Sequence, residues 1–161
     1  MLIRNTLLIV LTLSLATIAN AETSFERFVI KQLRCLERPR PLPVFIALEK
    51  AGKIRADEML GFDSVSCFRI HGGIKIMGMK FVSVCGHEED AAIRDTRPDL
   101  LWRGPGTSPG QFISFGTNAN FGAVSKWYFS NIGKQKLNQA INTEYTNIGD
   151  PTDVTCSSWM R

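Results

Sequence analysis

The sequence predicts an α+β domain: a small antiparallel β-sheet of two hairpins, flanked by an N-terminal and a C-terminal helix and stapled by disulfides. Three observations support this prediction. Apolar residues recur at helical spacing near both ends of the chain, and several stretches between them have the composition and alternation of β-strands. In addition, all four cysteines lie downstream of an N-terminal segment that has the organisation of a secretion signal.

Residues 1–21 are predicted to be a cleaved secretory signal peptide. Arg4 supplies the positive charge, residues 7–19 are apolar, and Ala19-Asn20-Ala21 fits the small-x-small cleavage rule. The apolar run is shorter than the roughly 20 residues that a membrane-spanning helix needs. We therefore expect residues 22–161 to form a single α+β domain that is periplasmic or secreted and has no membrane span after cleavage.

The net charge gives only a weak indication of the partner. The whole chain carries a formal charge of +4, which becomes +3 when the signal segment and its one charged residue, Arg4, are removed. Such a small excess of positive charge does not favour nucleic acid as a partner.

Two helices are predicted ahead of the sheet. Thr23 and Glu26 form a capping box, and a helix with an amphipathic apolar face follows and stops before Pro39. After a proline-rich connector, residues 44–52 predict a second short helix with Gly52 at its C-terminal end. Residues 54–62 are ambiguous and are expected to form a loop that crosses to the sheet.

The strand-rich centre of the chain spans residues 64–88. We expect residues 64–70 and 74–85 to form a hairpin around Gly72, with a bulge near Gly78, where the alternation of apolar residues changes phase.

A second hairpin is predicted from residues 111–116 and 125–130, which flank a turn. The apolar spacing of Leu137, Ile141 and Tyr145 then predicts a final amphipathic helix from about Lys134.

The four cysteines are Cys35, Cys67, Cys85 and Cys156, and an even number in an exported domain predicts two disulfides. No Cys-x-x-Cys pair occurs, so zinc is not favoured, and no metal or cofactor is expected. In a hairpin around Gly72, Cys67 would face a residue near position 77. A Cys67–Cys85 bridge is therefore disfavoured, and each central cysteine is expected to tie down one terminal segment.

Trp102 and Arg103 are the candidate binding residues. They begin a long Gly/Pro-rich loop, and both are residue types favoured as anchors in protein interfaces. Pro105 and Pro109 would reduce the entropic cost of ordering that loop. In the alternative interpretation, Trp102 packs over the sheet and Arg103 pairs with Asp99 or with the acidic run at residues 88–90.

No motif specifies a catalytic chemistry. The leading hypothesis is therefore a small exported, non-catalytic binding protein that acts on another protein, as an inhibitor or an immunity protein does. One alternative is a secreted, nuclease-like hydrolase in which His71, His87 and Glu88 provide general acid–base catalysis. A further alternative is a glycan or small-ligand binder that uses Trp102.

Overall fold

The computed structural model describes residues 24–105, 110–133, 141–143 and 148–158. The predicted signal peptide lies outside these ranges, as do residues 134–140 and 144–147 of the predicted final helix and its sequel. The part of that helix prediction that can be compared is wrong, because Ile141 begins a strand.

Helices and strands alternate irregularly along the chain. The helices are α1 (residues 24–33), α2 (Pro41–Lys50), α3 (Ala91–Arg94) and α4 (Phe121–Asn131), with a 3₁₀ turn at Ala56–Glu58. The strands are β1 (Leu60–Phe62), β2 (Val65–Ile76), β3 (Met79–His87), β4 (Phe112–Thr117), β5 (Ile141–Asn142) and β6 (Thr152–Ser157).

The strands form one antiparallel sheet in the order β1-β2-β3-β4-β6-β5. Five of the strands have three residues or more, and β5 has two. The predicted α+β class with an antiparallel sheet and disulfides is thus confirmed. The division into two hairpins is wrong, because β4 pairs with both β3 and β6 within a single sheet.

The segment predicted as the returning strand of the second hairpin, residues 125–130, belongs to helix α4. The side chain of Asn120 caps this helix by accepting a hydrogen bond from the backbone N–H of Ala123 (3.0 Å). Val124, Trp127 and Tyr128 are buried, and their i, i+3, i+4 spacing is that of a helix face. Six residues were too few to separate this period from strand alternation.

The central hairpin turns at Met77-Gly78 and not at Gly72. Met77 and Gly78 have φ values of 45° and 81°, which fit the two-residue turns that join antiparallel strands. Strand β2 continues through residues 70–73, where the register with β3 shifts. The predicted bulge therefore exists, but it lies in β2 and not at Gly78.

This register corrects the predicted disulfide pairing. The shift places Cys67 directly opposite Cys85, with their Cα atoms 4.1 Å apart, and the two residues form a disulfide. The second disulfide, Cys35–Cys156, joins the segment after α1 to β6. Two disulfides were correctly predicted, whereas their pairing was wrong. Such bridges indicate an oxidising compartment outside the cytoplasm.

The main hydrophobic core joins the sheet to α1, α2 and α4. Its aromatic contacts are edge-to-face: Phe45 of α2 meets Phe68 at 5.1 Å, and Trp127 of α4 meets Phe81 at 5.4 Å between ring centroids. A smaller cluster surrounds the Cys67–Cys85 bridge. Within the described ranges, no helix is long and apolar enough to cross a membrane.

Candidate functional site at the edge strand

The exposure of the chain changes sharply at Trp102. Leu100 and Leu101, the two residues before it, are buried, whereas Trp102 is 43% exposed and Arg103 is also exposed. The two buried leucines anchor the backbone next to Trp102, while part of its side chain remains accessible to solvent.

Hydrogen bonds on both sides hold Trp102 in place. Its backbone N–H donates to Ser66 Oγ (2.6 Å), and Ser64 Oγ donates to the carbonyl of Gly104 (3.0 Å). Ser66 lies in β2 and Ser64 directly precedes that strand, so the loop is fixed to the sheet at each end of the Trp102-Arg103 pair. The conformational cost of using Trp102 as a binding anchor is thereby reduced.

The indole of Trp102 lies against the backbone of β1. A Cβ atom added at Gly61 would be 2.7 Å from Trp102 Cγ, which is closer than side chains approach one another. Glycine at position 61 is therefore what allows the indole to lie on the strand.

Strand β1 is at the edge of the sheet, and its two other side chains are also exposed. Leu60 is 47% and Phe62 is 38% exposed. Successive side chains of a strand point to opposite faces. The indole of Trp102 covers one face at Gly61, so Leu60 and Phe62 lie on the opposite face. We call Leu60, Phe62 and Trp102 the β1 patch; it presents apolar surface on both faces of an edge strand.

The backbone of β1 also has an open side. A Cα separation of 4.1 Å between Cys67 and Cys85 is typical of a non-hydrogen-bonded pair, so the N–H and C=O of Cys67 point towards its other partner, Leu60. Alternation along β1 then directs the N–H and C=O of Gly61 away from the sheet. An extended segment of another protein can pair with such an edge.

Arg103 does not have the predicted alternative partners. Asp99 instead pairs with Arg97 (2.7 Å), whose hydrogen bond holds the pKa of Asp99 below its usual value. Glu89, in the acidic run, pairs with Arg38 (2.9 Å).

Replacing Gly61 by alanine is expected to displace the indole of Trp102, because the new Cβ cannot fit beneath it. Overpacking of this kind destabilises proteins by about 1–3 kcal/mol. Chemical denaturation measures the stability change, and the position of the indole is read from a crystal structure of the variant. The matched control is Gly122→Ala on α4, where the backbone is outside the left-handed region and the added Cβ would meet only Asn120 Oδ1, at an ordinary contact distance of 3.5 Å. An unmoved indole in the Gly61→Ala protein would contradict the packing described here.

The two histidines lie in different surroundings. His71 is exposed, and its Nε2 is 2.7 Å from Glu58 Oε2. His87 is only 2% exposed, and its Nδ1 lies 2.5 Å from the carbonyl of Ser64, so Nδ1 is the donor. His87 directly follows Gly86 of β3, which pairs with Ser66 of β2, whereas His71 lies five residues after Ser66. The two histidines are therefore separated by about 15 Å along the strands. The structure does not bring them into the shared cleft that the hydrolase alternative requires.

Glu88 is also buried, with 2% of its surface exposed, and burial raises its pKa above the ordinary value of 4.5. The folded protein therefore binds this proton more tightly than the unfolded chain does. We expect the free energy of unfolding to fall as the pH rises from about 4.5 through the raised pKa of the folded state, and to stay lower above it.

The variant Glu88→Gln should remove this part of the pH dependence and be more stable than the wild type at pH 7, because the amide cannot ionise. Urea midpoints measured between pH 4 and pH 8 test the prediction. Glu89→Gln is the control, since Glu89 is more exposed and pairs with Arg38. Equal pH slopes for the wild type and Glu88→Gln would exclude Glu88 as the source of the dependence.

Sequence reasoning selected Trp102 and Arg103 but missed β1. Residues 60–62 were expected to be part of a loop, although the short apolar run Leu-Gly-Phe before Asp63-Ser64 was a signal for a strand and turn. Asp63 and Ser64 both have positive φ and connect β1 to β2 as a two-residue hairpin turn does.

Among the residues that the structure describes, no three His, Cys, Asp or Glu side chains are grouped so that they could hold a metal ion. Comparison of the chain with protein-family models, with curated proteins and with solved structures found no match.

Proposed function

We propose that the chain is an exported, non-catalytic binding protein that holds another protein at the β1 patch, as an inhibitor or immunity-type protein does. The observation that carries the proposal is the combination of exposure and fixation at Trp102. Its indole is 43% exposed, yet the backbone bond to Ser66 and the contact with Gly61 set its position. Rigid aromatic anchors of this kind dominate the energetics of many interfaces.

Three further features support a protein partner. The N–H and C=O of Gly61 point outward and can pair with the C=O and N–H of an extended peptide. Leu60 and Phe62 add apolar area on the other face of the strand. Arg103, next to the anchor, supplies a charge that can steer an acidic partner. The two disulfides and the predicted signal peptide support a periplasmic or secreted location.

The test is affinity capture from envelope and secreted-protein extracts with three baits: the oxidised wild type, Trp102→Ala and Phe129→Ala. Phe129 is the matched control, because it is also an aromatic residue with 43% exposure but lies on α4. We expect one stoichiometric partner with the wild type and with Phe129→Ala. For Trp102→Ala the affinity should fall at least about 30-fold, the equivalent of a hot-spot loss of about 2 kcal/mol.

The identity and activity of the purified partner then show whether this protein acts as an inhibitor. If the partner is an enzyme, addition of one equivalent of this protein should abolish its activity. Equal capture by the wild type and by Trp102→Ala would remove the β1 patch from the binding site.

A further inference from the structure

A second surface shares no residue with the β1 patch. It is a groove bounded by α1, the turn between β2 and β3, and the C-terminal end of α4, and its volume is about 890 Å³. We call it the α1 groove. Its size is that of pockets that take small organic ligands.

Positive side chains line the α1 groove along one helix. Arg27, Lys31 and Arg34 all line it, are all exposed, and follow one another at i, i+4 and i+7. Arg34 directly follows α1, and its backbone N–H still donates to the carbonyl of Ile30 (2.9 Å), as in a helix. The spacing therefore puts all three on one side over about 10 Å, given a rise of about 1.5 Å per residue.

The positive charge of the protein is concentrated in α1 and the connector that follows it. Residues 24–40 contain five Arg or Lys and two Glu, a net charge of +3, whereas residues 41–161 contain thirteen basic and twelve acidic residues, a net charge of +1. The small overall excess, which by itself says little about a partner, is therefore local to α1 and the connector that follows.

Hydrogen bonds hold two of the charged side chains that line the groove, Glu26 and Arg34. Glu26 is the acidic residue among those that line it, and its carboxylate accepts a hydrogen bond from the backbone N–H of Met77 in the β2–β3 turn. Arg34 donates to the carbonyl of Asn131, the last residue of α4 (3.3 Å). Glu26 is thus bound to the β2–β3 turn, and the Arg34 side chain reaches from the end of α1 to the end of α4.

Apart from the polar residues Ser24 and Asn131, the rest of the lining is apolar. Phe28 and Ile30 of α1 contribute to it, and so does Met77, which is 51% exposed. Methionine is a flexible side chain that adapts to apolar ligands of irregular shape. A ligand that fits this lining combines an anionic group with an apolar part.

We propose that the α1 groove binds an amphiphilic phosphate, with its phosphate against Arg27, Lys31 and Arg34 and its apolar chain against Phe28 and Met77. Arginine pairs with phosphate through two parallel hydrogen bonds, and several cations suit a group that carries up to two negative charges. The shared chemistry is an alkyl phosphate, which a free amphiphile or a lipid head group can supply.

Isothermal titration calorimetry on the purified exported protein tests the proposal with dodecyl phosphate below its micellar concentration. Inorganic phosphate and dodecyl maltoside are the comparison ligands, and each lacks one half of the proposed ligand. We expect dodecyl phosphate to bind at least about tenfold more tightly than either comparison ligand. The charge-assisted contacts of its phosphate distinguish it from dodecyl maltoside, and the burial of its alkyl chain distinguishes it from inorganic phosphate. Equal affinity for dodecyl phosphate and one of the comparison ligands would overturn the proposal.

The variant Lys31→Glu should lower the affinity for dodecyl phosphate at least about tenfold, because it reverses the charge in the middle of the basic face. Lys126→Glu is the matched control, since Lys126 is an exposed helical lysine of α4 that does not line the groove. The control should bind as the wild type does, and urea unfolding confirms that both variants are folded. Unchanged affinity in Lys31→Glu would exclude the groove.

Vesicles distinguish the two sources of the ligand. Binding to vesicles that contain phosphatidylglycerol, and its inhibition by soluble dodecyl phosphate, would support a lipid head group as the ligand. Binding of dodecyl phosphate without binding to these vesicles would support a free amphiphile. Binding to vesicles that dodecyl phosphate does not inhibit would place the lipid contact outside the groove and contradict the proposal.

Discussion

Replacing both Cys35 and Cys156 by alanine is expected to lower the free energy of unfolding by about 5 kcal/mol. The two residues are separated by 121 positions, so their disulfide closes almost the whole folded chain into one loop. Its removal gives the unfolded chain much more conformational freedom. Urea unfolding of the oxidised variant and of the wild type measures the difference.

The Cys67→Ala/Cys85→Ala protein provides the comparison. Those residues are separated by 18 positions, for which the same entropic argument gives about 3 kcal/mol. Alanine is used in both pairs, because Cys67, Cys85 and Cys156 are buried and serine would place a hydroxyl in the core. An equal or smaller loss on removal of Cys35–Cys156 would show that chain entropy does not dominate the effect of these bridges.

Replacing Trp127 by alanine is expected to cost about 4 kcal/mol, in the range measured for large aromatic residues in cores. Trp127 is 7% exposed and packs edge-to-face on Phe81. Its Nε1–H also donates to the carbonyls of Ile76 and Met77, which joins α4 to the β2–β3 turn. The variant loses the packing and leaves these carbonyls without that donor.

Two further substitutions separate these contributions. Trp127→Phe keeps a ring but not the donor, and we expect it to lose less stability than Trp127→Ala. Phe129→Ala, two residues further along α4, should cost less than about 1 kcal/mol, because its ring is 43% exposed. Similar losses at positions 127 and 129 would contradict the assignment of the buried face of α4.

Much of the fold could be predicted where local signals are strong. The second helix was expected at residues 44–52 and is found at Pro41–Lys50, where proline in the first turn and Gly52 after the end are favourable. The hairpin was harder. Gly72-Gly73 has the composition of a turn, but a register shift absorbs these residues within β2 and moves the turn to Met77-Gly78. A register shift depends on contacts across strands, which sequence periodicity does not report.

The candidate site could be predicted only in part for the same reason. Trp102 was selected by residue type and by its place in a Gly/Pro-rich loop. The role of Gly61 depends on a contact with a residue 41 positions later, and a three-residue strand is too short to show a period. The hydrolase alternative required His71 and His87 to share a cleft, whereas the register of β2 and β3 keeps the two residues apart.

The Cys35–Cys156 bridge also determines how the protein responds to force and to cleavage. If the chain is pulled by its two ends, tension passes from residue 35 to residue 156 through the covalent bridge, and the residues between them carry no load. A single cut by a protease within that span, for example after the exposed Arg103, leaves one covalently connected molecule. The bridge therefore shortens the part of the chain that bears tension, and it keeps the two pieces of a nicked chain covalently joined.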